Sequence, residues 1–130
     1  MAAGKNIESR IEKSAKEILS LLGLEGREVE IFLVSDETMH ELNLNYRKKD
    51  KPTTVLSFEA PEIPHPETKY RPLGEIYLAP NYISAHNEDI RRLLVHGILH
   101  LIGYDHLGKT DTARMESKED EILAKAVFNI

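Results

Sequence analysis

Residues 93–106, LLVHGILHLIGYDH, form the longest apolar run of the chain, and three histidines interrupt it. His96 and His100 are four residues apart, so on a helix their side chains lie on one face, one turn apart. Gly103 can adopt the left-handed conformation that ends a helix and turns the chain back, which would bring His106 to the same place. The stretch therefore predicts a buried helix that carries two metal ligands, followed by a turn that supplies a third.

Histidine is unusual on a buried helix, because a buried imidazole costs free energy unless its ring nitrogens find partners. Three histidines within eleven residues therefore indicate that all three bind one metal ion. Neutral imidazole suits zinc, and three protein ligands leave the fourth tetrahedral position for water or substrate, as in catalytic zinc sites. We predict one Zn2+ ion held by His96, His100 and His106.

The spacing of these histidines matches the peptidase pattern H-E-x-x-H-x-x-G-x-x-H at every position except one. Gly97 stands where the peptidases have the glutamate that acts as general base, which makes a peptidase or amidase an unfavoured alternative. The carboxylates near motif residues are Asp105 and Glu75. We expect Asp105 to orient an imidazole and Glu75 to face solvent, so neither is assigned as a base.

Four segments have the apolar spacing of amphipathic helices. The first covers residues 7–22, with Asn6 as its N-cap and Gly23 as its C-terminal stop. Ser35 caps a second helix, in which Tyr46 is expected to face inward. The third runs from about Tyr82 into the histidine segment. The last is capped by Thr110 or Asp111 and is expected to bury Met115, Ile122, Leu123, Ala126 and Val127.

Three strands are predicted between the helices, at residues 29–34, 53–58 and 74–78. The first is rich in β-branched residues, and we expect it to be covered on both faces. Four prolines indicate that residues 59–72 form a loop. This order of elements predicts the α+β class, with a small mixed β-sheet packed with helices. We expect one domain over residues 1–130.

Composition limits the possible partners and location of the protein. Its 130 residues are 41% hydrophobic and 30% charged, with no cysteine and no segment long enough for a membrane span. The N-terminus lacks the features of a signal peptide, so we expect a cytoplasmic protein without a membrane partner. The net charge of -5 argues against indiscriminate nucleic-acid binding, and no DNA partner is expected. Any binding of nucleic acid would therefore depend on local basic patches.

Two motifs resemble the signatures of the YbeY family, the bacterial zinc-dependent endoribonucleases of ribosomal RNA maturation. The first is HGILHLIGYDH at residues 96–106, and the second is NYRKKDKPTTVLSF at residues 45–58. A shorter agreement is LGEI at residues 73–76. Two positions depart from the family pattern, since Thr54 and Glu75 stand where aspartate is usual. Neither is one of the histidines.

The resemblance implies an α+β fold with a metzincin-like zinc-binding helix, and zinc held by the three histidines of the first motif. It also implies a functional arginine, which maps onto Arg47. The implied role is the maturation of ribosomal RNA, the assembly of the small ribosomal subunit and ribosome quality control. Ribosomal RNA and the small subunit or its assembly factors are therefore the expected partners.

A planar guanidinium such as that of Arg47 can bind two phosphate oxygens at once, as a phosphodiester transition state requires. We expect Lys48, Lys49 and Lys51 to hold the RNA backbone. The predicted function is therefore that of a zinc-dependent, single-strand-specific endoribonuclease, with water or the RNA 2′-hydroxyl as nucleophile. The alternative is a non-catalytic zinc protein that binds the ribosome or an assembly factor.

The other histidines lie outside the ligand spacing, and we expect them to be exposed and to have no metal role. They are His40, His65 and His86.

Overall fold

The computed structural model describes residues 3–61, 71–128 and 130. Its elements follow the chain in the order α1 (Ala3–Leu21), β1 (Glu28–Leu33), α2 (Asp36–Arg47), β2 (Val55–Glu59), β3 (Pro72–Leu78), α3 (Pro80–Ala85), α4 (Ile90–Leu101) and α5 (Lys109–Lys125). The predicted α+β class is confirmed. Most of the expected proline-rich loop lies outside the described residues.

The central strand of the three-stranded sheet is β3, and the strand order is β1-β3-β2. It runs parallel to β1 and antiparallel to β2, which confirms the expected mixed sheet. Ile76 of β3 lies between Ile31 of β1 and Ser57 of β2. Because side chains alternate along a strand, Ile76 and Leu78 face one side of the sheet and Tyr77 faces the other.

The main core lies on the side of the sheet that Ile76 and Leu78 face. There α1 packs on β1, α4 packs on β2 and β3, and α5 packs on α4. Burial of each large apolar side chain in this core contributes roughly 1.5–3 kcal/mol to folding. The helix α4 is the most deeply placed, because four of its side chains are 0% exposed: Leu94, Val95, Ile98 and Leu99.

The opposite side of the sheet has a smaller core, in which Met39 of α2 packs with Leu56 and Ala79. This cluster leaves much of β1 uncovered. Only Ile31 of that strand is buried, and Glu30 is exposed. The expectation that both faces of this strand are covered holds only in part. The strand is at the edge of the sheet and packs mainly on α1, and on its other face Phe32 is half-buried against Tyr77.

The ends of the first two helices agree only in part with the prediction. Asn6 lies inside α1 and is not its N-cap, since the helix begins at Ala3. Gly23 has φ +74° just beyond the end of α1, which confirms it as the stop. The cap of α2 is also confirmed, because Ser35 Oγ accepts a hydrogen bond of 3.1 Å from the backbone N–H of Thr38.

The expected inward orientation of Tyr46 is wrong. Tyr46 is 66% exposed, and its ring packs edge-on against Phe58 with 5.2 Å between the ring centroids. The buried residues of α2 are Met39 and Asn43, one and two turns into the helix. The last turn of α2 therefore lies beyond the core, where an aromatic ring can only cover the rim.

The segment from Tyr82 to the histidines forms two helices, not the single helix that was expected. Between them Asn87 has φ +55°, a left-handed conformation that asparagine tolerates better than most residues. Asp89 then starts α4, because its Oδ1 accepts a hydrogen bond of 3.0 Å from the backbone N–H of Arg91. The histidine helix therefore has its own capped start.

The final helix begins one turn earlier than expected. Gly108 occupies the N-cap position, so neither Thr110 nor Asp111 is the cap. Val127 is 70% exposed because α5 ends at Lys125. The other expected core residues of this segment are buried or half-buried: Met115, Ile122, Leu123 and Ala126. None of the helices in the described ranges combines the length and apolar character of a membrane span.

We expect Asp89→Ala to lower the free energy of unfolding by about 1 kcal/mol, because it removes the N-cap of α4. Asp89→Asn should retain most of the stability at neutral pH. The hydrogen bond from Arg91 lowers the pKa of Asp89 below its ordinary value of 3.8. The carboxylate's contribution is therefore present above that value and is lost as the pH falls through the lower, folded-state pKa.

Urea denaturation of the wild type and both variants, at neutral pH and below pH 3.8, measures these differences. The difference in free energy of unfolding between the wild type and Asp89→Asn should be smaller in acid than at neutral pH. A larger difference in acid would contradict the role of the Asp89 carboxylate as the N-cap.

Candidate metal centre

The three predicted ligands come together at the C-terminal half of α4. His96 and His100 lie on one face of the helix, with 4.8 Å between their ring centroids. Gly103 has φ +103°, so the predicted left-handed turn is confirmed, and it brings His106 within 5.1 Å of the His100 ring. One ring nitrogen from each histidine lies within 4.8 Å of the others. The three histidines are therefore close enough to bind one metal ion.

The three imidazoles differ in exposure. His96 and His100 are half-buried, whereas His106 is exposed at the mouth of the site. Burial lowers the pKa of His100 below its ordinary value of 6.5. The two neighbouring imidazoles and Arg47 act in the same direction, and Asp105 opposes them. His100 is thereby kept in the neutral form that binds metals.

A buried carboxylate contacts one of the ligands. The Nδ1–H of His96 donates a hydrogen bond of 2.7 Å to Oε2 of Glu119, a residue of α5 that is 5% exposed. Oε1 of Glu119 accepts a 2.8 Å hydrogen bond from Arg92. This arrangement leaves Nε2 of His96 available to a metal.

Sequence reasoning missed Glu119 and expected Asp105 to orient an imidazole. The carboxylate of Asp105 instead accepts a hydrogen bond of 3.3 Å from the backbone N–H of Leu107. A signal for Glu119 was present, because it lies four residues after Met115 and three before Ile122, on the buried face of α5. A glutamate at such a position needs a partner inside the protein.

The histidines open into a cleft of about 560 Å³ between the end of α2, β2, α4 and α5. Arg47, the last residue of α2, lines this cleft together with the three ligands. Thr53 and Thr54 add hydroxyl groups to the wall, and Glu59 and Glu88 add carboxylates that sequence reasoning did not single out. The cleft therefore combines a candidate metal centre with a cation and hydroxyl donors.

The two arginines of the cleft differ in their partners. Arg92 is held by Glu119 and by Asp120, to which its hydrogen bond measures 2.6 Å. Arg47 forms no ion pair with any residue in the described ranges. Its guanidinium is therefore available for an anion that enters the cleft.

Hydrogen bonds to Asn43 hold the backbone of the basic turn that follows Arg47. Asn43 is 1% exposed, and its Nδ2 donates a 2.8 Å hydrogen bond to the carbonyl of Lys51. The carbonyl of Asn43 accepts a hydrogen bond from Lys49, while Lys48 adopts φ +61°. The side chains of Lys48, Lys49 and Lys51 are exposed and do not line the cleft. The structure therefore places the three lysines beside the predicted site and not in it.

Gly97 of α4 packs directly against β2 and β3. A Cβ at this position would lie 3.1 Å from both Ile76 Cδ1 and Ser57 Oγ. Ser57 Oγ also donates a 3.2 Å hydrogen bond to the carbonyl of Gly97. Glutamate, which the peptidase pattern requires here, would force the side chains of Ile76 and Ser57 to shift.

The other histidines have different surroundings. His40 Nε2 is hydrogen-bonded to Asp50 Oδ1 at 2.6 Å, and His86 stacks on Tyr82 with ring centroids 4.0 Å apart. His65 lies outside the described residues. Within the described ranges, the group of residues suited to a metal ion is the one formed by the three predicted ligands.

We expect Gly97→Glu to lower the free energy of unfolding by at least about 2 kcal/mol, because it forces a side chain and a charge into close packing. Gly108→Ser is the matched control, since a Cβ at Gly108 meets nothing within 4 Å and serine is a favourable N-cap. Urea denaturation in the presence of a chelator measures the free energy of unfolding without any contribution from bound metal, so a difference between the variants reports packing. Equal stability of Gly97→Glu and the wild type would contradict the steric argument.

The chain matches the family model described as Endoribonuclease YbeY over residues 2–127. It is 40% identical to the Endoribonuclease YbeY of Persephonella marina over 122 residues, which cover 87% of this chain and 79% of the relative. Identity to the Aquifex aeolicus protein of the same name is 38%, over 89% of this chain and 81% of the relative. Identity to that of Acinetobacter baumannii is 43%, over 78% and 71%.

A solved structure also resembles this fold. The solution structure of the Thermotoga maritima protein TM1509 superposes with a TM-score of 0.53 at 25% sequence identity. The match covers 96% of this chain and 87% of that protein. The two chains therefore share an architecture over nearly their full lengths.

Proposed function

The chain belongs to the YbeY family of endoribonucleases, and from this premise we propose that it is a zinc-dependent, single-strand-specific endoribonuclease of ribosomal RNA maturation. Internal cleavage of RNA is the activity that its relatives' names describe. The observation that carries the proposal is that Arg47 and the three clustered histidines line one cleft.

The donor set of the cluster fits zinc. It consists of three imidazoles, of which His96 has its Nδ1–H bound to Glu119 and its other nitrogen free. Zinc in such a site is a Lewis acid that offsets negative charge on a phosphate oxygen. The three histidines would hold the ion, and the cleft beside them gives room for a substrate.

Arg47 binds the scissile phosphate in this proposal. Its planar guanidinium can donate two parallel hydrogen bonds to phosphate oxygens, and it forms no ion pair with a carboxylate of the described residues. The hydroxyls of Thr53 and Thr54 lie on the same cleft wall and can donate to the same phosphate. Negative charge that develops during cleavage is therefore met by donors already in place.

The lysines of the basic turn act further from the reaction. Lys48, Lys49 and Lys51 are exposed beside Arg47, where they attract the backbone of a single strand that enters the cleft. Because the whole chain has a net charge of -5, this local patch has to supply much of the attraction. A single strand, unlike a duplex, can bend its backbone into the cleft.

The biological setting completes the proposal. Ribosomal RNA is the proposed substrate, and the small ribosomal subunit or its assembly factors are the proposed partners, with quality control of the ribosome as a related role. We place this activity in the cytoplasm, in one domain over residues 1–130. The support is the family membership of the chain and the RNA-cleaving activity of that family.

We expect the purified protein to bind one zinc ion per chain and His100→Ala to weaken that binding by more than about 100-fold, because losing a ligand exceeds the effect of losing a residue that orients one. Competition with a chromogenic chelator measures the affinity. His86→Ala is the control, since this histidine lies outside the cluster. Equal zinc affinity in His100→Ala and the wild type would exclude this site.

We expect Arg47→Ala to lower kcat/KM for a single-stranded ribosomal RNA fragment by about 10²–10³, as loss of a preorganised charge-stabilising donor does. Arg47→Lys should recover only part of the loss, because an ammonium cannot form two parallel bonds to phosphate. Zinc affinity should stay unchanged in both variants.

Neutralising Lys48, Lys49 and Lys51 together provides the comparison. This triple variant should raise KM and flatten the salt dependence with little change in kcat. Full activity of Arg47→Ala would remove Arg47 from the mechanism. Cleavage of a peptide library with RNA left intact would favour a peptidase, and zinc needed only for folding would favour the non-catalytic alternative.

A further inference from the structure

The three clustered histidines do not have equivalent surroundings. Behind His96 lies the carboxylate of Glu119, which is 5% exposed. In the described part of the chain, no side-chain partner of this kind lies behind His100 or His106. His96 is therefore the ligand that the protein orients through a second residue.

We propose that Glu119 is a positioning residue, held by Arg92, which fixes the tautomer and ring orientation of His96 and so sets the affinity of the site for zinc. The inference rests on the proposed zinc-dependent function. It adds a residue of α5 to a site whose predicted ligands come from α4 and the turn that follows.

The tautomer follows from the hydrogen-bond chemistry of the pair. An ionised carboxylate only accepts hydrogen bonds, so the proton of the neutral imidazole must lie on Nδ1, 2.7 Å from Oε2 of Glu119. The lone pair then lies on Nε2, the nitrogen left for a metal. The opposite tautomer would place a lone pair of His96 against a carboxylate oxygen.

Arg92 holds the carboxylate in place. One of its terminal nitrogens donates to Oε1 of Glu119 at 2.8 Å, and the other donates to Oδ1 of Asp120 at 2.6 Å. The side chain of Glu119 is only 6% exposed, so its negative charge needs this guanidinium as compensation. The bonds from Arg92 and His96 to the two carboxylate oxygens also limit rotation of Glu119 about its side-chain torsions.

The helix pair α4 and α5 therefore acts as one unit in metal binding. His96 and Arg92 are four residues apart on α4, and Glu119 and Asp120 are neighbours on α5. Any shift of α5 along α4 moves the carboxylate away from the imidazole. A purely structural ion pair between the helices would not require a bond to His96 at all.

The test uses Glu119→Gln, which keeps the shape of the side chain and removes its charge. We expect its zinc affinity to fall by about 10–100-fold, the usual effect of losing a residue that orients a ligand. Glu121→Gln is the matched control, because Glu121 is on the same helix but pairs with Lys118 and Lys125. Its zinc affinity should equal that of the wild type.

A second measurement does not depend on the metal. Long-range ¹H–¹⁵N NMR spectra of the metal-free protein should show His96 as the Nδ1–H tautomer in the wild type and in Glu121→Gln. In Glu119→Gln both tautomers should appear, because an amide can accept from Nδ1–H or donate to Nδ1. Unchanged affinity or an unchanged single tautomer in Glu119→Gln would overturn the proposal.

Arg92→Lys covers the case in which Glu119→Gln fails to fold. It keeps the positive charge but cannot form both bonds of the guanidinium. Its zinc affinity should therefore be lower than that of the wild type and of Glu121→Gln, by a smaller factor than the roughly 10–100-fold expected for loss of the carboxylate. Affinity equal to the wild type would count against the proposal. A wild type that binds zinc but leaves RNA intact would refute the proposed function alone, while a wild type without zinc affinity would refute both.

Discussion

The close approach of α4 to the sheet at Gly97 is the constraint on which the rest of the site depends. Ile76 and Ser57 leave little room for a side chain there, and the Ser57 hydroxyl donates a hydrogen bond to the carbonyl of Gly97. This contact fixes the rotation of the helix about its own axis. With the glycine against β2 and β3, the preceding residue, His96, is turned towards the cleft and α5.

Much of the metal centre could be predicted because its information is local. The i, i+4 spacing of His96 and His100 and the turn at Gly103 are properties of consecutive residues, and each appears in the structure. The mixed sheet also followed from the order of elements. The position of Arg47 beside the histidines was implied by family resemblance, since no local pattern relates residues so far apart.

The features that the sequence did not predict depend on contacts between distant segments. In the sequence Glu119 lies in an acidic stretch that looks exposed to solvent. Its contact with His96 exists only because α5 packs on α4. Tyr46 had the spacing of an inward residue, but its ring packs edge-on against Phe58 at the rim of the sheet and is 66% exposed. The break before Asp89 is local and was missed, although residues 86–89 (HNED) are all polar and Asn87 adopts the left-handed conformation.

The parallel pairing of β1 with β3 has a consequence for the order of folding. Contacts at its start, such as the hydrogen bond of Arg27 to the carbonyl of Arg71, join residues 44 apart in the chain. During synthesis β1 and the apolar face of α1 emerge first, yet the strand that completes their sheet does not exist until β3 has left the ribosome. The segment that contains α1 and β1 is therefore synthesised before its partner strand β3. Until β3 pairs with β1, the apolar surface of this segment is exposed and can contact other chains.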